Sequence, residues 1–101
     1  MADRHSLYCR VRGRVQGVGF RYYIYEIARA LKVVGYVRNC SDRTVEVYAV
    51  GSRERLDDLR RAAATGPHGA YVTACEVTWG VPSESENAGS DSSQPEFRIR
   101  Y

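Results

Sequence analysis

From His5 to Arg12 apolar and polar side chains alternate, with Leu7, Cys9 and Val11 on one side and Tyr8, Arg10 and Arg12 on the other. A period of two belongs to a strand with one buried face. The rhythm stops at Gly13, and through Gly19 the chain is glycine-rich with neither a strand nor a helix period. From Phe20 the step changes: Phe20, Ile24, Ile27, Ala28 and Leu31 form one helical stripe, and Arg21, Tyr22, Tyr25, Glu26, Arg29 and Lys32 take the other face. Gly35 lies just past this helix, within Val33 to Asn39, which reads as a short strand of mixed burial. Asp42-Arg43 is a turn signal, and Thr44 to Val50, with Val45, Val47 and Ala49 alternating, completes a hairpin. Ser52 is placed to cap a second helix, and Glu54 in its first turn suits the helix dipole. Leu56, Leu59 and Ala63 give that helix its buried stripe, and Gly66-Pro67 ends it. Val72 to Val81 predicts another strand, Ser83 to Gln94 a polar surface loop, and Glu96 to Tyr101 a closing strand.

The order is strand, helix, strand, strand, helix, strand, with a fifth strand at the C-terminus. Two right-handed strand–helix–strand crossovers put both helices on one face of an antiparallel sheet. The fold class expected is therefore α+β, a ferredoxin-like α/β sandwich, with residues 1–101 as a single domain. At 101 residues there is no room for a second core. The 44% hydrophobic and 27% charged content is that of a folded globular chain rather than a disordered one.

Charge and cysteines narrow the setting. Between Arg4 and Arg38 there are eight basic residues and one acid, Glu26; from Gly51 on there are six basic and eight acidic residues. A positive first third attracts an anion, although 14 of the 15 basic residues are arginine and a general arginine bias explains the count equally well. Cys9, Cys40 and Cys75 are odd in number and never spaced C-x-x-C, which argues against a disulfide framework or a zinc site. With no apolar leader and no apolar run of membrane-spanning length, a cytoplasmic setting is expected. The match of Asn39-Cys40-Ser41 to a glycosylation acceptor is then idle.

The chemistry concentrates in Gly13-Arg14-Val15-Gln16-Gly17-Val18-Gly19-Phe20-Arg21. This segment leads from a strand into a helix N-terminus, where backbone N–H groups lack intrahelical partners and the dipole adds positive charge. Glycines at 13, 17 and 19 let successive N–H groups curl inward around an anion such as phosphate. Arg21, in the first turn, opposes the dipole and can grip two phosphate oxygens in a fork. The spacing has neither the Gly-Lys-Ser/Thr end of a nucleotide P-loop nor G-x-G-x-x-G, so a nucleotide is not implied. The bland reading is a glycine-rich turn. Asn39, at a strand end, could donate to and accept from a water, or be an ordinary turn former.

Taken together, residues 13–21 and Gly35-Tyr36-Val37-Arg38-Asn39 resemble the signature of the acylphosphatase family, and the likeness extends to the element order and to Phe97-x-Ile99-x-Tyr101. The resemblance implies hydrolysis of the carboxyl–phosphate anhydride to a carboxylate and inorganic phosphate, with no cofactor and no metal. It implies that the backbone of Val15, Gln16, Gly17, Val18 and Gly19, with Arg21, holds the phosphate, and that Asn39 positions the attacking water. A phosphate oxygen of the substrate would take the water's proton, since His5 and His68 are isolated.

A small acyl phosphate and inorganic phosphate are the expected partners, with no nucleic acid and no membrane, and a monomer is expected. The family usually has glycine at the position of Arg43; if φ > 0 is needed there, arginine costs about 1 kcal/mol, or Asp42 absorbs the conformation. Two other readings remain open: a phosphate or acyl-phosphate sensor without turnover, and an RNA-binding ferredoxin-like module stacking bases on sheet tyrosines. No RNP1 pattern supports the latter, and most of the eight tyrosines are expected at sheet or helix edges.

Overall fold

The computed structural model describes residues 4–81 and 96–100. The expected loop at Ser83 to Gln94 and the end of the last strand at Tyr101 lie outside the described residues. The elements are β1 (His5–Arg14), α1 (Phe20–Leu31), β2 (Val34–Asn39), β3 (Val45–Gly51), α2 (Arg53–Thr65), β4 (Tyr71–Gly80) and β5 (Phe97–Arg100). They follow the sequence periodicity with ends shifted by about one residue, except that β1 runs on through Gly13 and Arg14, two residues into the segment expected to have no strand pattern.

The described strands form one sheet in the order β4-β1-β3-β2-β5. β1 is antiparallel to β3 and β4, and β2 is antiparallel to β3. β5 instead runs parallel to β2, so the sheet is mixed rather than wholly antiparallel. β4 and β5 point in opposite directions, and the chain passes from one edge of the sheet to the other between them. That crossing puts β5 alongside β2 in the same sense.

Strand register explains the core. Val77, Cys9, Val47, Val37 and Ile99 make one row across all five strands, and Trp79, Leu7, Ala49, Gly35 and Phe97 make the next. Onto this face α1 lays Phe20, Ile24 and Ala28, and α2 lays Leu56, Leu59 and Ala63, all buried. The two helices pack on the same face, and Tyr23 Oη of α1 donates to the Ala62 carbonyl of α2 at 2.9 Å. Ser52 caps α2 by accepting from the Arg55 amide at 3.2 Å. α1 ends at Lys32, which turns left-handed (φ 61°) and donates its amide to the carbonyls of Ala28 and Arg29. Gly35, just past the expected helix, lies inside β2.

Among the described residues no helix covers the opposite face of the sheet, and three of the eight tyrosines lie there in the sheet interior. Tyr8, Tyr36 and Tyr48 lie in one register row across the three inner strands, away from the edges. Their groups are engaged: Tyr8 Oη donates to Glu46 Oε2 at 2.5 Å, Tyr36 and Tyr48 rings lie 5.7 Å apart, and Arg100 covers Tyr36 at 4.6 Å. Glu46 is the centre of this face and only 7% exposed. Arg38 donates to its Oε1 from the neighbouring strand, and Arg10 lies 3.8 Å from its Oε2. Burial pushes the Glu46 pKa up, but hydrogen bonds from Tyr8 and Arg38, with the Arg38 and Arg10 charges, hold it below the ordinary carboxylate range.

A folded pKa below the unfolded one adds stability that is complete above the unfolded value of about 4.3. That stability is lost as pH falls through the folded value. Glu46→Gln is expected to lower the unfolding free energy at pH 7 by about 2 kcal/mol. The gap from the native chain should shrink as pH falls below about 4. Urea unfolding of both proteins between pH 3 and 7 measures this; a gap unchanged at pH 3 would show that the carboxylate charge is not what holds the cluster.

Candidate active site

β1 is longer than its inner neighbour. Its pairing with β3 stops at Val11–Val45, while its pairing with β4 continues to Arg14–Tyr71 across an irregularity between Arg12 and Gly13. The chain therefore leaves β1 beyond the end of β3 and has to fold back before α1 can pack over β2. Val15 anchors the return by burying its side chain, at 1% exposure. Gly17 and Gly19 then take φ of 76° and 79°, a left-handed conformation that costs an L side chain about 1–2 kcal/mol and glycine nothing. Gly19 is the N-cap of α1 and offers no side-chain acceptor, and no acid stands in the first turn. The donors of that turn are thus left for a group from outside the helix.

The sheet end faces this turn. Val15, Gly17, Gly19, Phe20, Arg21, Tyr22, Asn39 and Ile99 line a cavity of about 220 Å³. Five residues expected at the site from the sequence are there: Val15, Gly17, Gly19, Arg21 and Asn39. Among the described residues, no acid or histidine lines it. Asn39 ends β2 opposite Val45, and its Oδ1 is buried with no hydrogen-bond partner among the described residues. A buried acceptor left unpaired costs about 1–3 kcal/mol, a cost that a donor in the cavity would remove.

Gln16 and Val18 are placed differently. Val18 packs against the core. Gln16 sends its carboxamide away from the cavity, its Nε2 donating to the carbonyls of Cys40 at 3.0 Å and Thr44 at 2.9 Å. Those carbonyls belong to the β2–β3 turn, closed by Cys40 N–H to Thr44 O at 2.9 Å and Arg43 N–H to Cys40 O at 3.1 Å. One side chain therefore ties the glycine loop to the turn that follows Asn39. Arg43 itself takes the left-handed conformation, φ 74°. Asp42 does not absorb it, because its Oδ1 accepts from Thr44 Oγ1 at 2.6 Å and from the Thr44 amide at 3.1 Å. These bonds, the Oγ1 one first, hold the Asp42 pKa below the ordinary range.

Three contributors escaped the sequence. Tyr22 follows Arg21 on the polar face of α1, 60% exposed, and nothing in its spacing marks it. Ile99 reaches the site only because β5 adds beside β2 in parallel, a pairing no periodicity reveals. The bracing role of Gln16 needed the turn geometry.

Known proteins are similar to this chain in sequence and in fold. A family model described as Acylphosphatase matches residues 7–91. The acylphosphatase of Thermococcus kodakarensis is 47% identical over 83 residues, 82% of this chain and 91% of that protein. The acylphosphatase of Methanothrix thermoacetophila is 40% identical over 92 residues, 91% of this chain and 92% of that one. Among solved structures, the crystal structure of acylphosphatase from Bacillus subtilis aligns with a TM-score of 0.80 at 34% identity, covering 96% of this chain and 99% of that one. With the glycine loop, the arginine and the strand-end asparagine gathered on one cavity, the chain belongs to the acylphosphatase family.

Proposed function

We propose that this chain hydrolyses acyl phosphates to a carboxylate and inorganic phosphate, with the loop amides and Arg21 holding the phosphoryl group and Asn39 holding the water. The observation that carries the reading is the single cavity lined by both the left-handed glycine turn at the start of α1 and the Asn39 carboxamide. Family membership supports the reaction; the roles of individual residues rest on the geometry.

The chemistry asks little more of the protein. A water oxygen attacks phosphorus, the bond from phosphorus to the acyl oxygen breaks, and the carboxylate leaves with the electron pair. The water's proton passes to a phosphoryl oxygen, which suits a cavity whose lining contains no side-chain base. Carboxylate is a good leaving group, so orientation and charge stabilisation supply the rate. Preorganised amides and a guanidinium do this best when they tighten on the equatorial oxygens as charge develops.

In this reading the whole chain serves as one catalytic unit, a monomer whose site needs no second copy. It works in the cytoplasm on a small dissolved substrate. No helix among the described residues is long and apolar enough to cross a membrane. Cys9, Cys40 and Cys75 are free thiols, as a reducing compartment favours. A nucleic-acid module is not favoured, because the tyrosines of the open face are already engaged by Glu46 and Arg100.

Phosphate release from benzoyl phosphate, without added metal, tests the reaction, and absence of turnover by the native chain would sink it. Arg21→Ala is expected to lose about a hundred- to a thousandfold in kcat, roughly 3–4 kcal/mol. Arg21→Lys should fare little better, because an ammonium cannot reproduce the planar fork. Asn39→Ala should lose turnover while inorganic phosphate still inhibits at nearly native concentration; phosphate affinity that collapses with the rate would remove Asn39 from the water's side. Gln16 is a positioning residue, and Gln16→Ala should lower kcat about tenfold, near 1.4 kcal/mol, with KM changing less. Gln16→Glu should be worse, since a carboxylate would face two carbonyl oxygens; equal effects of the two variants would rule out the brace.

A further inference from the structure

On the outer side of the glycine loop, Gly13, Arg14, Val15, Gln16, Gly17 and Arg43 line a second, open cavity of about 670 Å³. It shares Val15 and Gly17 with the phosphoryl cavity, so the two adjoin along the same stretch of loop. Among the described residues, Arg14 and Arg43 are its only charged lining residues. Among the described residues neither Arg14 nor Arg43 has an ion pair or side-chain hydrogen bond, in contrast to Arg10, Arg12 and Arg38 on the open face of the sheet.

The acid next to Arg43 in the chain does not serve them. Asp42, adjacent to Arg43 in the chain, gives its carboxylate to Thr44 and to Arg10. The turn carrying Arg43 is fixed to the loop carrying Arg14 by the two Gln16 hydrogen bonds. Arg43 is held there in a left-handed conformation, at a cost a glycine would not incur. Backbone strain of this kind marks positions where the side chain is useful. Two like charges face one cavity, and an anion between them converts repulsion into two charge-assisted hydrogen bonds.

We propose that Arg14 and Arg43 form a second anion site that takes a carboxylate carried on the acyl group of the substrate. The proposal rests on the acylphosphatase reading above and adds a substrate class to it: acyl phosphates with a second negative charge. The phosphoryl group lies in the glycine cradle, and the acyl group extends along the loop past Gly17, bringing its carboxylate between the two guanidiniums. Neither arginine touches the reacting atoms. Their effect is on which acyl phosphate is captured, and it weakens with salt because both side chains are exposed.

The test compares 3-carboxybenzoyl phosphate with benzoyl phosphate, two rigid substrates that differ by the charge. The native chain is expected to favour the carboxylated substrate in kcat/KM by on the order of tenfold at low salt. In Arg14→Gln and Arg43→Gly the ratio should fall, and in the double variant it should approach one. Arg43→Gly also relieves the left-handed strain, so loss of the fold is not at issue, and benzoyl phosphate turnover by each variant reports on its integrity. Normal hydrolysis of benzoyl phosphate with an unchanged ratio in the double variant overturns this proposal alone. No hydrolysis of benzoyl phosphate by the native chain overturns the acylphosphatase reading and this proposal with it.

Discussion

The active end of this molecule depends on the unequal lengths of two neighbouring strands. β1 stays paired with β4 three residues after it has lost β3, so the chain leaves the sheet at a place where no strand receives its amides. Backbone donors that are buried must find acceptors. Here the loop turns through two left-handed glycines, enters α1 without a side-chain cap, and lines one small cavity. The cavity is thus bounded by chain that the strand ladder leaves over.

The other half of the site comes from β2, whose last residue is Asn39. Its position relative to the loop is set twice. On the helix side Gln16 bonds the loop to the turn after Asn39. On the open side Glu46 draws together Tyr8 and Arg10 of β1 and Arg38 of β2, one residue before Asn39. The buried carboxylate is therefore structural in a specific sense: it ties β1, which leads into the loop, to β2, which ends at Asn39. Its low pKa keeps that alignment across the neutral range.

Much of this was legible in the chain. The step from a period of two to a period of 3.6 at Phe20 marked the strand–loop–helix unit, and Ser52 announced its helix by chemistry local enough to read. Gly17, Gly19 and Arg21 stood out because glycine and arginine at a strand-to-helix loop carry chemistry that spacing exposes, whereas Val15 and Asn39 were marked by the resemblance to the acylphosphatase signature. What stayed hidden was non-local. Nothing in Phe97 to Arg100 tells that β5 adds parallel to β2 and delivers Ile99 to the site. Gln16 sat inside the motif as one more loop residue, and only the folded turn reveals that its side chain faces away. The central row of Tyr8, Tyr48 and Tyr36 was hidden for the same reason, since it exists only once register is set.

The small volume of the phosphoryl cavity has a chemical consequence. About 220 Å³ accommodates a phosphoryl group and the first atoms of an acyl chain, below the range of pockets that enclose a whole drug-sized ligand. The bulk of a larger acyl tail stays in water and is not recognised by shape. Such an enzyme reads a bond type rather than a molecule. Its turnover among uncharged substrates should track the acidity of the departing carboxylic acid, and selectivity among tails has to come from groups outside the cavity.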